Sequence, residues 1–359
     1  MAATMTRKRT TDAAELTVLV TAVFRRAGMS GTDAHLLADS LVDADLGGVH
    51  SHSVLRVPEY AAKLTTEGVD PGGRPELARD SGAWRGVDGN NSIGQIGAHF
   101  AMQRVMERAL TRGMAAAAIR GSNHCGAMSN FARQGLASDM IGVATTNALP
   151  TMAPWGGTER LLGINPLAVA IPTAEEPPIV YDAAFSGSSH GKIRVHHQQG
   201  LPIPAGWALD RNGQPTTDAA AALDGLLEPI GGFKGAGLAL IMGILSSMLS
   251  GASYGTELGN MEDGPRAGQD GHFVAAIRVG AFEEVDRFKA RVDGAIRQIR
   301  ACRLAPGCDR VYAPGEKEHL CREQYRRDGI PLNEVTLADL KRTAEELGVS
   351  TNENSWLAN

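Results

Sequence analysis

The segment from Ser51 to Tyr60 carries residue types that suit chemistry on a small acid. It holds Ser51, His52, Arg56 and Tyr60 within ten residues. The imidazole of His52 can give or take a proton near neutral pH, and the guanidinium of Arg56 can place two hydrogen bonds on one carboxylate. This combination predicts a site that binds a carboxylate and moves a proton beside it. A polar loop with a structural histidine is the alternative that the motif alone leaves open.

A second segment of this kind lies at 121–128, directly after an apolar run at 115–119. Its glycine and serine residues allow the backbone to approach a ligand closely, and the helix expected after it would offer free N–H groups to an anion. His124 is the proton carrier here, with a structural histidine as the alternative. Cys125 could act as a nucleophile, but adjacent residues are poorly placed as nucleophile and base, so we expect a small apolar filler.

Two further residues suggest contacts with a ribose or a phosphate. Asp182 follows an apolar run at 179–181, and Lys234 lies in the glycine-rich segment 231–235 at the start of an expected helix. A lysine at such a helix start can bind a phosphate. A capped turn is the alternative for Asp182.

The common nucleotide-binding motifs are missing. The segment 182–193 superficially resembles a phosphate-binding loop, but its Gly187-to-Gly191 spacing is one residue too short, and Ile193 replaces the required serine or threonine. We therefore reject a nucleoside triphosphatase. No Gly-x-Gly-x-x-Gly lies between an expected strand and helix, which excludes the usual dinucleotide-binding fold. The residues alone predict an enzyme that acts on a small carboxylate, with a phosphate-bearing cofactor.

The bulk properties are those of an ordinary soluble globular protein. Of its 359 residues 21% are charged, and the net charge is −5 with no long basic tract, which disfavours nucleic acid as a partner. The four cysteines lack paired zinc spacing, so no metal is expected. The apolar stretch 235–252 contains glycines and serines, and we expect a buried helix rather than a membrane span. No signal peptide is visible, so a cytoplasmic protein is expected.

The N-terminal part predicts three helices. Polar residues that can cap the first two stand at 11–12 and at 30–33. The third helix is expected to open at Ser51, which would place Arg56 and Tyr60 four residues apart on one face.

The rest of the chain mixes strands and helices. Strands are expected at 115–119, 141–145, 167–171, 179–181 and 272–278, and further helices at 99–112, 129–138, 235–251, 282–302 and 337–347. This mixture predicts an α/β (α+β) fold. We expect a helical domain of residues 1–75 joined by 300–359, and a sheet domain of residues 76–299 that binds cofactor and substrate.

Nine short motifs in order resemble those of the malate/L-lactate dehydrogenase family, which lacks a Rossmann fold. The family includes ureidoglycolate dehydrogenase, diketogulonate reductase, sulfolactate dehydrogenase and the piperideine/pyrroline-2-carboxylate reductases. The similarity covers nearly the whole chain. The motifs lie at 48–52 with Arg56 and Tyr60, 121–124, 154–157, 163–168, 191–193, 203–210, 213–218, 231–235 and 271–273.

The resemblance implies an oxidoreductase that uses NAD or NADP and transfers a hydride between nicotinamide and C2 of a small 2-hydroxy or 2-oxo acid. A reductase of cyclic or linear 2-imino acids and a family member that has lost turnover are the alternatives. It also implies a mostly antiparallel sheet in the cofactor domain, which would explain the missing fingerprint. The expected partners are a small carboxylate substrate and a second copy of the chain, with active sites near the subunit interface.

Residue roles carry over by position. His52 resembles the catalytic proton donor, with Ser51 polarising it, and Arg56 resembles the clamp on the substrate carboxylate, with Tyr60 beside it. Family members differ over which of the two histidines is the acid/base, so His124 remains a rival or partner of His52.

Other positions match ligand-binding segments of the family. His190 and Gly191 match a substrate-side segment. The positions that match cofactor-binding segments are His124, Cys125, Gly126, Ala127, Met128, Ala148, Asp182, Ala183, Ala184, Lys234, Pro314, Gly315 and Glu316.

Three residues depart from the family pattern. Phe185 replaces a small hydroxyl residue, Ile164 stands where a threonine often touches substrate, and Ala148 stands where some members place a serine. Because one missing polar partner changes discrimination between substrates strongly, these departures predict an unusual substrate or reduced activity on plain malate and lactate.

Overall fold

The computed structural model describes residues 9–66, 68–259, 267–352 and 355–357. Its α-helices are α1 (Ala13–Arg26), α2 (Gly31–Leu46), α3 (Val57–Thr65), α4 (Gly94–Arg112), α5 (Ser129–Ala132), α6 (His190–Gln198), α7 (Ala219–Asp224), α8 (Phe233–Gly243), α9 (Val285–Arg300), α10 (Glu316–Asp328) and α11 (Glu334–Glu346). Its strands are β1 (Arg9–Thr11), β2 (Glu76–Ser81), β3 (Trp84–Asp88), β4 (Met114–Ser122), β5 (Met140–Thr146), β6 (Pro150–Met152), β7 (Leu162–Gly163), β8 (Leu167–Ile171), β9 (Ile179–Ala183), β10 (Ala208–Leu209), β11 (Pro215–Thr216), β12 (Leu226–Leu227), β13 (Asp270–Arg278) and β14 (Ile330–Leu332).

A seven-stranded sheet forms the centre of the molecule, in the order β2-β3-β4-β13-β5-β8-β9. Neighbouring strands are antiparallel except β3 and β4, which run parallel. All five strands predicted from the sequence lie in this sheet. The α/β (α+β) class and the mostly antiparallel sheet are therefore confirmed. The mostly antiparallel sheet explains why the Gly-x-Gly-x-x-Gly motif is missing, because that motif belongs to a parallel βαβ unit.

Small side chains let α4 lie close to this sheet. The alternate residues Ala115, Ala117 and Ile119 of β4 are buried, as expected for one face of a strand, and they share a core with alanines of α4. Gly94, at the start of α4, lies against the loop after β4. A Cβ atom at Gly94 would lie 1.9 Å from the Asn123 carbonyl oxygen.

A helical layer packs around a second core. The Asp12 side chain caps α1, and the Ser30 side chain caps α2, as predicted. This core draws mainly on residues of α1 to α3 and on residues of 330–357, so both ends of the described chain meet in it. The proposed domain boundaries stay a prediction, and residues 1–8 and 358–359 lie outside the described part.

A second sheet was not predicted from the sequence. Its five short strands follow the order β11-β10-β12-β6-β7, and it shares a third core with α6, α7 and α8. α8 buries only small residues such as Ala236 and Ala239, while Leu238 and Ile241 are exposed. The helix predicted over 235–251 is present as α8 and a π-helical turn, Ile244–Met248, that continues it, but the prediction that it is buried is only partly right. Among the described residues no helix is long and apolar enough to cross a membrane.

The third helix begins six residues later than predicted. Two 3-10 turns, His50–His52 and Val54–Arg56, precede α3, and Pro58 occupies its first turn, where a missing N–H costs nothing. The prediction that Arg56 and Tyr60 share one face of a helix opening at Ser51 is therefore wrong.

The helix α10 is not among the helices whose bounds were predicted from the sequence. Its sequence is almost uniformly polar, and Glu316 is its only residue that the structure describes as buried. A helix without an apolar stripe gives no periodic signal.

Replacing Gly94 by Ala tests the close contact between α4 and the loop after β4. We expect the free energy of unfolding to fall by about 1–3 kcal/mol or more, because overpacking forces the backbone apart. Gly294→Ala in α9 is the control, since a Cβ atom there meets nothing within 4 Å; it should be neutral or stabilising. Chemical denaturation measures both variants, and an unaltered Gly94→Ala stability would contradict the contact.

Candidate active site

A buried carboxylate organises the segment 50–56. Asp45, on α2, is 1% exposed. Its Oδ1 lies 2.7 Å from His50 Nδ1, and its Oδ2 accepts a hydrogen bond from the Val54 N–H at 3.3 Å. The Ser53 hydroxyl donates to the His50 carbonyl at 2.8 Å. The backbone bonds from the His52 and Arg56 N–H groups close the two 3-10 turns, and the side-chain bonds of Asp45 and Ser53 hold these turns in place against α2.

The guanidinium of Arg56 uses two of its N–H groups in hydrogen bonds to neighbouring residues. Its Nε donates to the Ser51 carbonyl at 3.0 Å and its Nη1 to Glu59 Oε2 at 2.6 Å. A guanidinium has five N–H donors, so three have no acceptor among the described residues. The Arg56 side chain is 34% exposed. It can therefore bind a carboxylate through its Nη2 side, while Ser51 already occupies Nε.

The rings of His52 and His124 stack on each other. Their centroids are 5.8 Å apart, and their planes differ by 18°. Ser51 Oγ lies 2.8 Å from His52 Nδ1, and Tyr60 Oη lies 2.5 Å from His124 Nδ1. The Nε2 atom of each ring has no hydrogen-bond partner in the described parts of the chain. Two such nitrogens beside a guanidinium suit a substrate with a carboxylate and a neighbouring oxygen or nitrogen.

Both histidines are neutral at pH 7. Burial, and then the positive charge of Arg56, lower the pKa of His52 to about 4. Burial, and then the charges of His52, Arg56 and His272, hold the pKa of His124 well below its ordinary value. Each ring then carries a single hydrogen. Burial also raises the pKa of Tyr60, so its hydroxyl stays protonated.

A third histidine, His272 on β13, lies beneath the site and is fully buried. Its Nε2 lies 2.8 Å from Ser122 Oγ, its Nδ1 lies 2.8 Å from Thr146 Oγ1, and the Cys125 sulfur is 3.6 Å from Nδ1. Burial lowers the pKa of His272 to about 4 and raises the pKa of Cys125. A buried, protonated thiol is a poor nucleophile, so the geometry favours Cys125 as an apolar filler.

The loop that carries His124 lies beside the end of β9. Asp182 is exposed, and its Oδ2 accepts a hydrogen bond from the Ser129 N–H at 2.7 Å. In the predicted cofactor segments, Cys125, Gly126 and Met128 are buried, whereas His124, Ala127, Ala183 and Ala184 are partly exposed. The exposed part of this surface is therefore mainly small side chains and backbone.

The segment 313–316 is fixed to the outer edge of β9. The Pro314 carbonyl accepts a hydrogen bond from the Val180 N–H at 2.9 Å, and Gly315 adopts φ +85° against Val180. Glu316 is buried, and its carboxylate is occupied by the Ala313 N–H and by two arginines. Glu316 therefore positions the segment, and Pro314 and Gly315 remain for contacts with a ligand.

The remaining predicted residues are not joined to the histidine pair. No hydrogen bond, ion pair or ring contact links His190, Gly191, Lys234 or Ala148 to it within the described residues. His190 begins α6, and burial lowers its pKa. Lys234 is exposed in the first turn of α8. The Ala148 N–H donates to Asn165 Oδ1 at 2.9 Å.

Two of the three departures from the family pattern lie at a core. Phe185 is 2% exposed and packs in the third core with Ile193 and Ile203. Its ring therefore packs into this core. Ile164 is partly buried against the same core.

Sequence reasoning missed the roles of Asp45, Gln95 and His272. Gln95 is completely buried, and its Nε2 donates to Tyr60 Oη at 3.2 Å. A signal existed for Asp45, because Leu37, Leu41 and Asp45 follow one another at four-residue spacing on α2. A carboxylate on an apolar helical face requires buried partners.

The fold matches those of solved dehydrogenases, as comparison with known proteins shows. The structure matches the solved sulfolactate dehydrogenase from Methanocaldococcus jannaschii with a TM-score of 0.90 at 32% identity, covering 95% of this chain and 98% of that one. Malate dehydrogenase from Pyrococcus abyssi is 34% identical over 343 residues, which are 93% of this chain and 94% of that protein. The Delta(1)-pyrroline-2-carboxylate/Delta(1)-piperideine-2-carboxylate reductase from Pseudomonas putida is 32% identical over 333 residues, or 91% and 94%.

A sequence profile of the malate/L-lactate dehydrogenase family matches residues 11–341. The protein belongs to this family. The resemblance carried by the nine motifs is thereby confirmed, and the protein is an oxidoreductase.

Replacing His272 by Gln is expected to change how stability depends on pH. Because the folded-state pKa of His272 is about 4, below its ordinary value of about 6.5, the unfolded chain binds more protons between these values. The histidine therefore lowers the free energy of unfolding as pH falls through this window. Glutamine does not titrate, so the free energy of unfolding of the variant should fall less steeply as pH falls. The difference in slope should correspond to at most about one bound proton.

Urea denaturation across this window measures both slopes. Burial raises the pKa of Asp270 to about 7, which acts in the opposite sense, but this contribution is common to both proteins and cancels in the difference. Equal slopes for the wild type and His272→Gln would show that His272 is not held neutral.

Proposed function

We propose that this protein interconverts a small 2-oxo acid and the corresponding 2-hydroxy acid with NAD or NADP. The observation that carries the proposal is the position of Arg56 beside the stacked rings of His52 and His124. A substrate carboxylate on Arg56 would bring the neighbouring C2 oxygen towards the unpartnered ring nitrogens. Proton transfer and carboxylate binding would then act on adjacent atoms of one substrate.

The residues present fit a nicotinamide dinucleotide. The N-cap residue of α8 is Gly232, which has no side chain to cap the helix, so N–H groups of the first turn and the exposed Lys234 are available to phosphate. Gly231 adopts a positive φ, and a Cβ atom there would meet nothing within 4 Å, so a ligand can approach the backbone. Asp182 and the segment 124–128 offer an acceptor and small residues for the rest of the cofactor. When bound, the cofactor supplies or receives the hydride.

The protein's own residues bind the substrate and move a proton. Arg56 would hold the carboxylate with the N–H groups that Ser51 and Glu59 leave free. Neutral His52 can accept the hydroxyl proton of a 2-hydroxy acid at Nε2. In the reductive direction His52 must first take up a proton. A carboxylate on Arg56 favours this, because it offsets the guanidinium charge that lowers the pKa of His52.

A 2-imino acid is the second candidate substrate. Such a compound also places a carboxylate next to the carbon that is reduced, and a relative with 32% identity is named as a cyclic 2-imino acid reductase. Ile164 favours this class over a dicarboxylate, because it adds apolar surface where a threonine often stands. A binding protein without turnover is the third interpretation.

We also propose that the protein acts in the cytoplasm, without nucleic acid or membrane as a partner. All four cysteines are free thiols, and free thiols persist in reducing compartments. The net charge of −5 gives no electrostatic attraction to polyanions.

A homodimer is the proposed assembly. The sequence from Gly235 to Thr256 carries no charged residue, and Leu238, Ile241 and Met248 expose large parts of their side chains there. An apolar surface of this kind marks an interaction site. We propose that a second copy of the chain covers this α8 surface.

The substrate proposal is tested with a panel of 2-oxo and 2-imino acids, by following the oxidation of NADH and NADPH. We expect turnover of at least one acid. Arg56→Lys should lower kcat/KM about 10–100-fold, because a hydrogen bond to a charged group is lost from the clamp. Arg74→Lys is the control, since Arg74 pairs with Asp33 on α2. If the protein binds NADH or NADPH but turns over no acid of the panel, the proposed oxidoreductase function is overturned and the binding-protein interpretation remains.

The dimer proposal is tested with Ile241→Glu. A charge on the α8 surface should convert a dimer to monomers, because burying an unpaired carboxylate is unfavourable. Leu110→Glu is the matched control, since Leu110 is equally exposed on α4 and should leave the dimer intact. Analytical ultracentrifugation measures the mass, and a wild-type monomer or a dimeric Ile241→Glu would refute this surface.

A further inference from the structure

Two buried side chains, Gln95 and Tyr60, and the partly exposed His124 come from separate elements and form one hydrogen-bonded series. Gln95 Nε2, in the first turn of α4, donates to Tyr60 Oη on α3 at 3.2 Å. The same hydroxyl lies 2.5 Å from Nδ1 of His124, in the loop after β4. Because His124 is neutral, only one of its two ring nitrogens carries a hydrogen. The direction in which Gln95, Tyr60 and His124 donate their hydrogen bonds decides which nitrogen this is.

The orientation of the Gln95 amide follows from its unpaired atoms. Gln95 Oε1 has no hydrogen-bond partner among the described residues. Turning the amide over would pair this oxygen with Tyr60, but it would leave both hydrogens of the buried amide nitrogen unpaired. Unpaired buried N–H groups are rarer than unpaired carbonyl oxygens, so the amide N–H faces Tyr60.

With the Gln95 amide in this orientation, the Tyr60 hydroxyl can donate its hydrogen bond to one group. Its oxygen accepts from Gln95, and His124 Nδ1 is the only acceptor for its hydrogen among the described residues. If Nδ1 carried a hydrogen instead, the Tyr60 hydroxyl hydrogen would be buried without an acceptor, which is unfavourable. Nδ1 is therefore the acceptor, and Nε2 holds the ring hydrogen.

We infer that Gln95, acting through Tyr60, fixes the hydrogen of His124 on Nε2, so that His124 donates a hydrogen bond to the C2 oxygen or nitrogen of the substrate and His52 alone carries the proton. This inference rests on the proposed function for the identity of the ligand. Gln95 is a positioning residue, because it acts on the substrate only through Tyr60 and His124.

His52 differs from His124 in this respect. Its Nδ1 partner is the hydroxyl of Ser51, which can rotate to donate or accept. Both neutral forms of His52, and the protonated form, therefore have a partner. One ring is free to exchange its hydrogen, whereas the other is held as a fixed donor.

The hydrogen position of His124 is measured by long-range ¹H–¹⁵N NMR on protein labelled at histidine, with His124→Gln to assign the signal. In the wild type we expect an unprotonated Nδ1 and a protonated Nε2. Gln95→Met keeps the side-chain length but removes the donor, and both forms of His124 should then be populated. Gln103→Met on the same helix is the control, because the Gln103 side chain donates to Gln134 and has no hydrogen bond to either histidine among the described residues.

The measurement needs no turnover, so it separates this inference from the proposed function. A protonated Nδ1 in the wild type overturns the inference even if Gln95→Met does not fold. An unchanged signal in a folded Gln95→Met also overturns it. If the expected signal is found and no acid is turned over, the proposed function fails and the hydrogen assignment stands.

The division of roles is tested on the active acid of the panel. His124→Gln retains an N–H donor near the Nε2 position, so kcat should fall less than about tenfold and the pH profile should keep its shape. His52→Gln should lower kcat about 10²–10⁴-fold and remove the pH dependence. Gln95→Met should lower kcat more than it raises KM. The reverse pattern for the two histidine variants would reassign the proton carrier to His124.

Discussion

The buried hydroxyl of Tyr60 joins the helical layer to the central sheet, and the candidate site depends on this connection. Tyr60 belongs to the core of the helical layer, whereas His124 lies in the loop that leaves the sheet. Their hydrogen bond of 2.5 Å therefore spans the boundary between two cores. The site keeps its geometry only if both cores pack correctly and α4 approaches the loop as closely as Gly94 allows.

Burial at this boundary also sets the charge of the site. Moving an imidazolium out of water is costly, and Arg56 adds a second positive charge nearby, so the histidines stay neutral. A neutral imidazole is both a donor and an acceptor, and its neighbours decide which nitrogen plays each part. The groups around the rings, rather than the rings themselves, thus define what each histidine can do. Asp45 also shapes the site, because its buried carboxylate holds in place the segment that carries Ser51, His52 and Arg56.

Local sequence signals predicted the regular elements well. Five of the seven strands of the central sheet, the caps of α1 and α2, and the last helix could be predicted, because each depends on neighbours within a few residues. The predicted start of α3 was wrong, because the Asp45 carboxylate and Ser53 stabilise two 3-10 turns in front of this helix. The five-stranded sheet was missed because its strands have only two or three residues, too few for an alternating pattern.

The sequence by itself determined the family, the fold class and the residue types of the candidate site, because motifs in order and apolar periodicity are properties of the chain. Tertiary structure alone decided that His124 meets His52 and Tyr60, that Arg56 shares its guanidinium with Ser51 and Glu59, and that Gln95 lies behind Tyr60. Gln95 and Tyr60 are 35 residues apart, and Tyr60 and His124 are 64 apart. Hydrogen-bond direction and burial arise only where such distant segments pack together, so no local pattern contains them.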